Sequence, residues 1–305
     1  MNAIRPPALR KGDVVAVLAP SSSVQERARL EDGIEVLRSW GLEVQEGRHL
    51  RGVHGHLAGT DAARLEDLEW ALTDPEVRAV FVGRGGYGVQ RIVDEVDWQA
   101  VRSSPTLVVG FSDLTALLHA AWLRAGVVTV HGPSVSRLGS LPSRSVTRLE
   151  AMITGREVAP ITFGADKVAA GGVASGRLLG GNLALICAGI GTPDELQLDG
   201  DLLLLEDVNE APYAIDRMLT QLRRAGLLEG AAGVVVAWWV GCDPPSERPS
   251  ASASEVTVER LGDLGIPLVV ELPLGHAPQQ LAVAHGARAV LDTEEGSLRT
   301  GSPVV

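Results

Sequence analysis

Three side chains whose chemistry suits acyl transfer lie far apart in the sequence but share one local setting. Ser112, Glu206 and His276 each come at or just after the end of an apolar run, TLVVG, DLLLL and PLVVELPLG respectively. Such runs are typical of β-strands buried on both faces, and open α/β sheets gather their sites at the carboxyl ends of strands. A hydroxyl nucleophile, an imidazole base and an orienting carboxylate are the groups that acyl transfer requires. The shared position therefore indicates a serine hydrolase.

Each of these residues also has a purely structural interpretation. Ser112 precedes a predicted helix and would contribute about 1 kcal/mol as its N-cap. Glu206 would then be a solvated strand terminus, and His276 an ordinary loop histidine. The segment Gly110–Leu114 also lacks the second glycine of a G-x-S-x-G elbow, although strand, turn and helix follow in the expected order. Only the common placement of the three residues favours the catalytic interpretation over these alternatives.

The glycine-rich segment GRGGYG follows the predicted strand RAVFV and could supply an oxyanion hole. Because Gly85 and Gly86 lack side chains, backbone N–H groups there can approach a substrate carbonyl, and the Asp113 N–H offers a second donor. Loss of one such donor typically costs about 3 kcal/mol of transition-state stabilisation. Arg84 is a candidate clamp for a substrate carboxylate, because a guanidinium grips both oxygens at once. We expect Arg84, Gly85 and Tyr87 to contact the substrate.

The same segment allows a nucleotide-binding alternative. Gly83–Gly88 fits G-x-G-x-x-G, follows a predicted strand and precedes a short helical pattern at 89–96, as a dinucleotide fingerprint does. Such fingerprints usually follow the first strand of their domain, whereas the first strand here ends in APSSS. No acidic residue lies about 20 residues beyond the loop, since Asp113 comes later. A non-catalytic dinucleotide-binding module is therefore the less favoured interpretation.

A metal-activated water is the third alternative. The segment EGRHLRGVHGH places His49, His54 and His56 close together, with Glu46 and Asp61 nearby. Imidazole and carboxylate groups are zinc ligands, and a bound metal would activate water for hydrolysis. The spacing is not diagnostic, because a glycine-rich stretch of this kind is typical of a loop between elements. We predict neither a metal nor a cofactor.

The elements that must position these residues alternate along the chain. In the first half DVVAVLAP, LEVQEG and RAVFVG predict strands, while ERARLEDGIEVLRSWG and AARLEDLEWALTD predict amphipathic helices. Such alternation predicts a parallel sheet with right-handed crossovers. The second half resumes with five strand-like runs and the helix APYAIDRMLTQLRRAG. We predict an α/β protein with an N-terminal domain at 1–135, a linker at 136–171 and a C-terminal domain at 172–305.

Two smaller features of the second half bear on the site. Trp238 and Trp239 end the strand GVVVAWW, where one indole could line the cleft while the other packs in the core. The Pro/Ser-rich segment 242–255 follows them and predicts an exposed loop.

Composition excludes several function classes. A chain of 305 residues exceeds what one core usually serves, and the net charge of −11 argues against a nucleic-acid partner. Cys187 and Cys242 lie in apolar surroundings, which suits buried thiols in a reducing compartment. The first apolar run is too short for a signal peptide or a membrane span. We therefore expect a cytoplasmic protein without a membrane partner.

The order and spacing of six blocks resemble the L,D-carboxypeptidases, peptidase family S66, which also contains the microcin C immunity proteins. The blocks span nearly the whole chain and are GRGGYG at 83–88, VGFSDLTALLHA at 109–120, HGP at 131–133, GRLLGGNLALI at 176–186, LLLEDVNEAPYAIDRMLTQL at 203–222 and LPLGHAPQQLAVAHGARAVLD at 272–292. The resemblance implies a flavodoxin-like, parallel-sheet N-terminal domain and a swivelling α/β C-terminal domain, with the active site between them. It also implies a homodimer.

The resemblance carries a catalytic triad onto Ser112, Glu206 and His276, and the oxyanion donors onto Gly86 and Asp113. Family members cleave the bond before the terminal D-alanine of murein tetrapeptides during cell-wall recycling, so the implied partner is a small peptide substrate. An immunity-type peptidase that cleaves a peptide-nucleotide antibiotic is the alternative within the same family. Two departures from the family pattern are Phe111 in place of tyrosine and LAVAHG after the histidine. We interpret His285, in the second of these, as a hairpin residue rather than a second site histidine.

Overall fold

The computed structural model describes residues 3–244 and 250–305, which form a mixed α/β protein. Its strands are, in chain order, β1 (Val14–Leu18), β2 (Glu43–Glu46), β3 (Val77–Val82), β4 (Leu107–Gly110), β5 (Thr129–His131), β6 (Ile161–Thr162), β7 (Val168–Ala170), β8 (Val173–Asn182), β9 (Asp201–Val208), β10 (Ala231–Val240), β11 (Leu268–Leu272), β12 (Val283–His285), β13 (Arg288–Asp292) and β14 (Ser297–Thr300). Its α-helices are α1 (Arg27–Ser39), α2 (Asp61–Thr73), α3 (Trp98–Ser103), α4 (Thr115–Ala120), α5 (Val135–Leu138), α6 (Ser143–Ile153), α7 (Leu183–Ala188), α8 (Pro212–Arg224) and α9 (Ala253–Leu261).

The chain forms two compact units. The first comprises the chain up to Val158 together with Leu281–Gly286 and Ser302–Val305, and the second comprises Ala159–Gln280 and Ala287–Gly301. The segment 136–171, predicted as a linker, contributes α6 and most of α5 to the first unit and β6 and β7 to the second.

The sheet of the first unit has the strand order β12-β5-β4-β3-β1-β2, in which β1 to β5 are parallel. The order 2-1-3-4-5 is that of flavodoxin-like folds, so the predicted class of this domain is confirmed. The strand order reverses between β1 and β3, and folds of this kind bind ligands at the carboxyl ends of the strands beside such a reversal. The loops after β1, β3 and β4 are therefore the ones to examine for a site.

The helices of the first unit form where hydrophobic spacing and capping predict them. In α1 the residues Leu30, Ile34 and Leu37 recur at helical spacing and are buried. The hydroxyl of Thr60 accepts a hydrogen bond from the Ala63 N–H and caps α2.

Strand β12 was not predicted, and it corrects the interpretation of His285. It runs antiparallel to β5, with Ala284 opposite Val130, and thus joins the sheet of the first unit. The next strand along the chain, β13, belongs to the other sheet, so His285 is not a hairpin residue. Its side chain is buried instead. A run as short as LAVAH carries too little periodicity to show from sequence which sheet it joins.

The second unit contains a mixed sheet with the strand order β6-β14-β13-β8-β9-β10-β11-β7. Its central strands β8 to β11 are parallel, and the outer strands are antiparallel to their neighbours. Helix α8 begins at Pro212 in its first turn, and its buried residues include the predicted stripe of Ile215, Met218, Leu219 and Leu222.

The structure also bears on the predicted Pro/Ser-rich loop and on the expectation that no segment spans a membrane. The central part of the predicted Pro/Ser-rich loop, residues 245–249, lies outside the described residues, while its last three residues already form the first turn of α9. The helix begins there because Ser252 and Glu255 form a reciprocal capping box. None of the helices within 3–244 and 250–305 has the length and apolar character that a bilayer crossing needs.

Candidate active site

Ser112 lies on a strained turn between a strand and a helix. Strand β4 ends at Gly110, and Ser112–Leu114 forms a 3-10 turn that leads directly into α4. The backbone φ of Ser112 is 64°, and among the described non-glycine residues only Asn209 and Glu271 share a positive φ. A left-handed backbone costs a serine about 1–2 kcal/mol, so it persists only where the surroundings impose it. This turn therefore presents the hydroxyl in the way that a nucleophile elbow does.

The glycine loop after β3 packs against this serine. A Cβ placed on Gly85 would lie 3.1 Å from the Ser112 Cβ and 3.2 Å from its Oγ. At Gly86 the φ of 115° is one that side chains rarely adopt, and a Cβ there would lie 2.3 Å from the Ser22 Oγ. Gly86 is required, because its backbone is left-handed and a side chain would meet Ser22, whereas a side chain at Gly85 would press on Ser112. The glycines were predictable from the sequence, but not that Ser22 is their neighbour.

The Asp113 carboxylate ties three loops together beneath the serine. Its Oδ2 accepts hydrogen bonds from the Ser21 hydroxyl at 2.6 Å and from the Val89 N–H at 3.0 Å. Burial raises the pKa of Asp113, and these donors act in the opposite direction. Sequence analysis assigned Asp113 only its N–H, so this anchoring role of the side chain was missed. A signal was available in the serines that follow the first strand.

Arg64 stabilises the same loops from the side of α2, and no sequence pattern pointed to it. Its guanidinium is fully buried and donates to the carbonyl oxygens of Pro20 and of Gly88, the latter at 2.8 Å. It also forms an ion pair with Asp61. Because Pro20 follows β1 and Gly88 follows β3, one cation holds the two loops beside the strand-order reversal.

Arg84 and Tyr87, predicted to contact substrate, flank the glycine loop. The Arg84 guanidinium donates to the Ser23 carbonyl oxygen at 3.3 Å, and the Tyr87 N–H donates to the Ser22 Oγ at 3.2 Å. The Tyr87 side chain is 47% exposed, and its ring centroid lies 5.8 Å from that of His56. Both residues thus lie on the loops that surround Ser112, and their contact with a substrate stays a prediction.

In the second unit, Glu206 and His276 are in direct contact. The distance between His276 Nδ1 and Glu206 Oε2 is 2.6 Å, a short hydrogen bond of the kind charged partners form. The Glu206 side chain is completely buried, whereas 16% of the His276 side chain is exposed. A carboxylate on Nδ1 places the proton there and turns the Nε2 edge of the ring away from the carboxylate. The imidazole is thereby oriented as a base requires.

Gly275 makes this contact possible, and sequence analysis did not identify it. Its φ is 60°, and a Cβ on Gly275 would lie 2.5 Å from Glu206 Oε2 and 2.7 Å from Glu206 Cγ. The backbone just before His276 therefore lies directly on the carboxylate. Any side chain at this position would displace Glu206.

The adjacent carboxylate, Asp207, has a different role. Successive residues of a strand point to opposite faces, and Asp207 accepts hydrogen bonds from Asn182 Nδ2 at 2.8 Å and the Ala184 N–H at 2.9 Å. It thus fixes the start of α7 to β9. Burial raises the pKa of Asp207 to about 6, and the neighbouring Glu206 charge acts in the same direction.

The structure thus gathers the predicted residues in two groups. The first unit holds Ser112 with the glycine loop and Asp113, and the second holds Glu206 with His276. Each group is assembled at the carboxyl ends of parallel strands, as predicted from the apolar runs.

Neither alternative chemistry receives geometric support. Residues 89–95 form two 3-10 turns rather than an α-helix, so the glycine loop lacks the helix N-terminus on which a pyrophosphate would lie. His49 contacts Glu66 at 3.1 Å, while the His56 ring faces Tyr87. Within the described part of the chain, no group of three or more histidine, cysteine or acidic residues could hold a metal ion.

Comparison with known proteins gives one consistent family. Residues 15–132 match the family described as LD-carboxypeptidase N-terminal domain, and residues 175–291 match the LD-carboxypeptidase C-terminal domain. A Bacillus subtilis protein named as a probable murein peptide carboxypeptidase is 38% identical over 300 residues, which cover 95% of this chain and 92% of that protein.

Two solved structures show the same fold. The muramoyltetrapeptide carboxypeptidase from Oxalobacter formigenes is 28% identical, with a TM-score of 0.83 over 94% of this chain and 97% of that one. The structure of MccF in complex with glutamyl sulfamoyl guanosine is 19% identical, with a TM-score of 0.88 over 99% of both chains. The likeness to MccF concerns the fold alone.

Proposed function

This chain belongs to the LD-carboxypeptidase family, and from that membership we propose that it is a serine carboxypeptidase that removes the terminal D-alanine from murein tetrapeptides. Relatives named as murein peptide and muramoyltetrapeptide carboxypeptidases support this choice of substrate. The observation that carries the proposal is the 2.6 Å contact between His276 and the buried Glu206. A buried carboxylate on Nδ1 is the arrangement that lets an imidazole accept a proton at Nε2.

In the proposed reaction His276 Nε2 takes the proton of the Ser112 hydroxyl, and the Ser112 Oγ attacks the carbonyl carbon of the L,D-peptide bond. The resulting oxyanion accepts hydrogen bonds from the N–H groups of Gly86 and Asp113. The C–N bond then breaks, and the imidazolium returns its proton to the leaving amine of D-alanine. Arg84 holds the terminal carboxylate of the substrate during this step.

The acyl-enzyme at Ser112 is then hydrolysed. A water molecule gives a proton to His276 Nε2 and attacks the ester carbonyl, and collapse of the second tetrahedral intermediate returns the proton to Ser112 Oγ. The Glu206 carboxylate stabilises the imidazolium in both halves of the reaction without accepting its proton. No metal or cofactor takes part in this scheme.

The proposal is tested by incubating the purified protein with a murein tetrapeptide and following the products by mass spectrometry. We expect the loss of a single alanine and no further shortening of the tripeptide product. Ser112→Ala should abolish turnover, since it removes the nucleophile and keeps the remaining site. An unchanged tetrapeptide, or turnover by Ser112→Ala, would contradict the proposal.

A second substrate deserves a parallel assay because the family resemblance also includes the microcin C immunity proteins. An immunity-type peptidase would use the same three residues on a peptide-nucleotide antibiotic. An aminoacyl sulfamoyl nucleoside, the class of ligand in the MccF complex, is therefore the competing substrate. Cleavage of this compound but not of the tetrapeptide would replace the first assignment by the second.

A further inference from the structure

A cavity of about 320 Å³ lies at the carboxyl ends of β10 and β11 in the second unit. It is lined by the two tryptophans that end β10, by the start of α9 and by one residue of β11, and its lining residues include Trp238, Trp239, Asp243, Ser254 and Glu271. Nothing in the catalytic scheme above uses these side chains.

The cavity is one strand away from the Glu206–His276 pair. Strand β10 lies between β9 and β11, with Trp239 opposite Asp207 and Ala237 opposite Leu272. Glu206 precedes Asp207 on β9, and the chain that leaves β11 after Leu272 reaches His276 four residues later. His276 and the cavity thus both lie at the carboxyl-end edge of this sheet, within one strand of each other.

The Trp238 indole lines the cavity and is fixed by a hydrogen bond to β11. Its N–H donates to the backbone carbonyl of Glu271, and 44% of its surface is exposed. Glu271 has a φ of 59°, although it lies within a β-strand, and the pairing of β10 with β11 shifts register at this point. An irregularity of this kind redirects the residue that carries it. Here it turns the carbonyl toward Trp238 and the carboxylate toward α9.

The Glu271 carboxylate retains capacity to bind a further donor. It accepts hydrogen bonds from the Ser254 hydroxyl at 3.0 Å and from Lys167 Nζ at 2.6 Å, whereas a carboxylate has about four acceptor sites. The pKa of Glu271 is lowered chiefly by Lys167, so the group is ionised at neutral pH. Asp243 adds a second negative charge to the lining, and together the carboxylates outnumber the single lysine.

We propose that this cavity, formed by Trp238, Asp243 and Glu271, binds a primary ammonium group carried on a flexible side chain of the substrate. A cation is attracted both by the face of an indole and by a carboxylate, and the lining of this cavity contains both kinds of group. The inference rests on the proposed function: in a murein peptide the ammonium belongs to the diamino acid whose carbonyl is attacked.

The test compares two tetrapeptides that differ only in charge, one with a free lysine side chain and one with its Nε-acetyl derivative. We expect the protein to prefer the free amine by about tenfold in kcat/KM, and Glu271→Gln and Trp238→Ala to remove most of that preference while leaving the acetylated peptide nearly unaffected. Glu294→Gln, a change of an exposed carboxylate between β13 and β14, should preserve the preference. Equal cleavage of both peptides by the wild-type protein, or equal losses on both in the variants, would overturn the inference.

A binding measurement separates failure of this inference from failure of the proposed function. Titration with n-butylammonium should give a saturable change in tryptophan fluorescence that Glu271→Gln abolishes, while n-butanol should give none. If neither tetrapeptide is cleaved but this binding is seen, the reaction assignment fails and the ammonium site stands. If the peptides are cleaved without discrimination and the amine does not bind, the cavity has no such role.

Discussion

The backbone of Ser112 gives the sharpest prediction at the scale of single residues. Glycine adopts a φ of 64° without the steric cost that any Cβ incurs, whereas alanine retains that cost. Both Ser112→Gly and Ser112→Ala should lack activity, but the glycine variant should be more stable than the alanine variant by about 1 kcal/mol. Urea unfolding of the two variants measures this difference. A glycine variant less stable than the alanine variant would show that the turn is not strained.

A second prediction at this scale concerns Gly275. Gly275→Ala should lower kcat/KM by about two orders of magnitude, since the added Cβ would meet Glu206 Oε2 at 2.5 Å and displace the carboxylate that orients His276. Gly265→Ala is the matched control, because Gly265 has a similar φ of 70° but no atom within 4 Å of the point that an added Cβ would occupy. The control should lose some stability and keep its activity. Equal activity in the two variants would mean that the position of Glu206 does not matter.

At the same scale, the sequence pointed to Ser112, Glu206 and His276 as candidates because each comes at or just after the end of an apolar run. It could not locate Gly275, Ser22 or Arg64, since their importance lies in contacts with residues distant in sequence. The left-handed backbone of Ser112 could not be predicted from the sequence either, because it depends on how β4 is joined to the turn.

At the scale of elements, Asp207 links the pH dependence of stability to the junction between β9 and α7. Its pKa of about 6 in the folded protein lies above the ordinary value of 3.8, so the folded state binds the proton more tightly than the unfolded state. This group therefore lowers stability as pH rises from about 4 to 6, with a slope of at most about 1.4 kcal/mol per pH unit. In the Asp207→Asn variant this loss of stability should be absent when the free energy of unfolding is measured in urea at pH 4.5 and 6.5. If the free energy of unfolding changes between these two pH values by the same amount in Asp207→Asn as in the wild type, the prediction is wrong.

His285, on strand β12, should make the stability of the protein depend on pH in the opposite direction. His285 is buried, its Nδ1 lies 3.3 Å from Thr129 Oγ1, and its ring stacks on His119 with centroids 5.4 Å apart. Burial, with His119 and His131 nearby, holds the pKa of His285 well below its usual value of 6.5. The unfolded state therefore binds the proton more readily, so this residue lowers stability as pH falls below about 6.5.

The His285→Phe variant tests this second dependence, since it keeps an aromatic ring against His119 and removes the titrating group. We expect its unfolding free energy to change less between pH 7 and pH 5 than that of the wild-type protein. His54→Phe, at an exposed position, serves as the control and should behave like the wild type. A His285→Phe variant with the full loss of stability in acid would assign the effect to other groups.

Elements that carry a full hydrophobic stripe or a long apolar run, such as α8 and β9, were predictable from the sequence. The short strands β6, β7, β12 and β14 were not, because two to four residues outside a regular strand–helix alternation hold too little pattern to distinguish a strand from a loop. The partner of β12 is decided by tertiary contacts that a local pattern cannot contain.

At the scale of the whole molecule, the family resemblance predicts a homodimer. Light scattering coupled to gel filtration should then give twice the 32.0 kDa of one chain. The mass of a single chain across a range of protein concentrations would reject the prediction. The net charge of −11 makes low ionic strength a poor condition for this measurement, since like-charged copies repel one another there.

The place of β12 in the chain has a consequence for biosynthesis. This strand belongs to the sheet that carries Ser112, yet it is translated after Glu206 and His276. A nascent chain therefore emerges from the ribosome with the nucleophile's sheet still lacking an edge strand, and that edge stays open until residues 283–285 have been made. The sheet of the nucleophile-bearing unit is thus completed only after Glu206 and His276 have been synthesised, although most of that unit is made first.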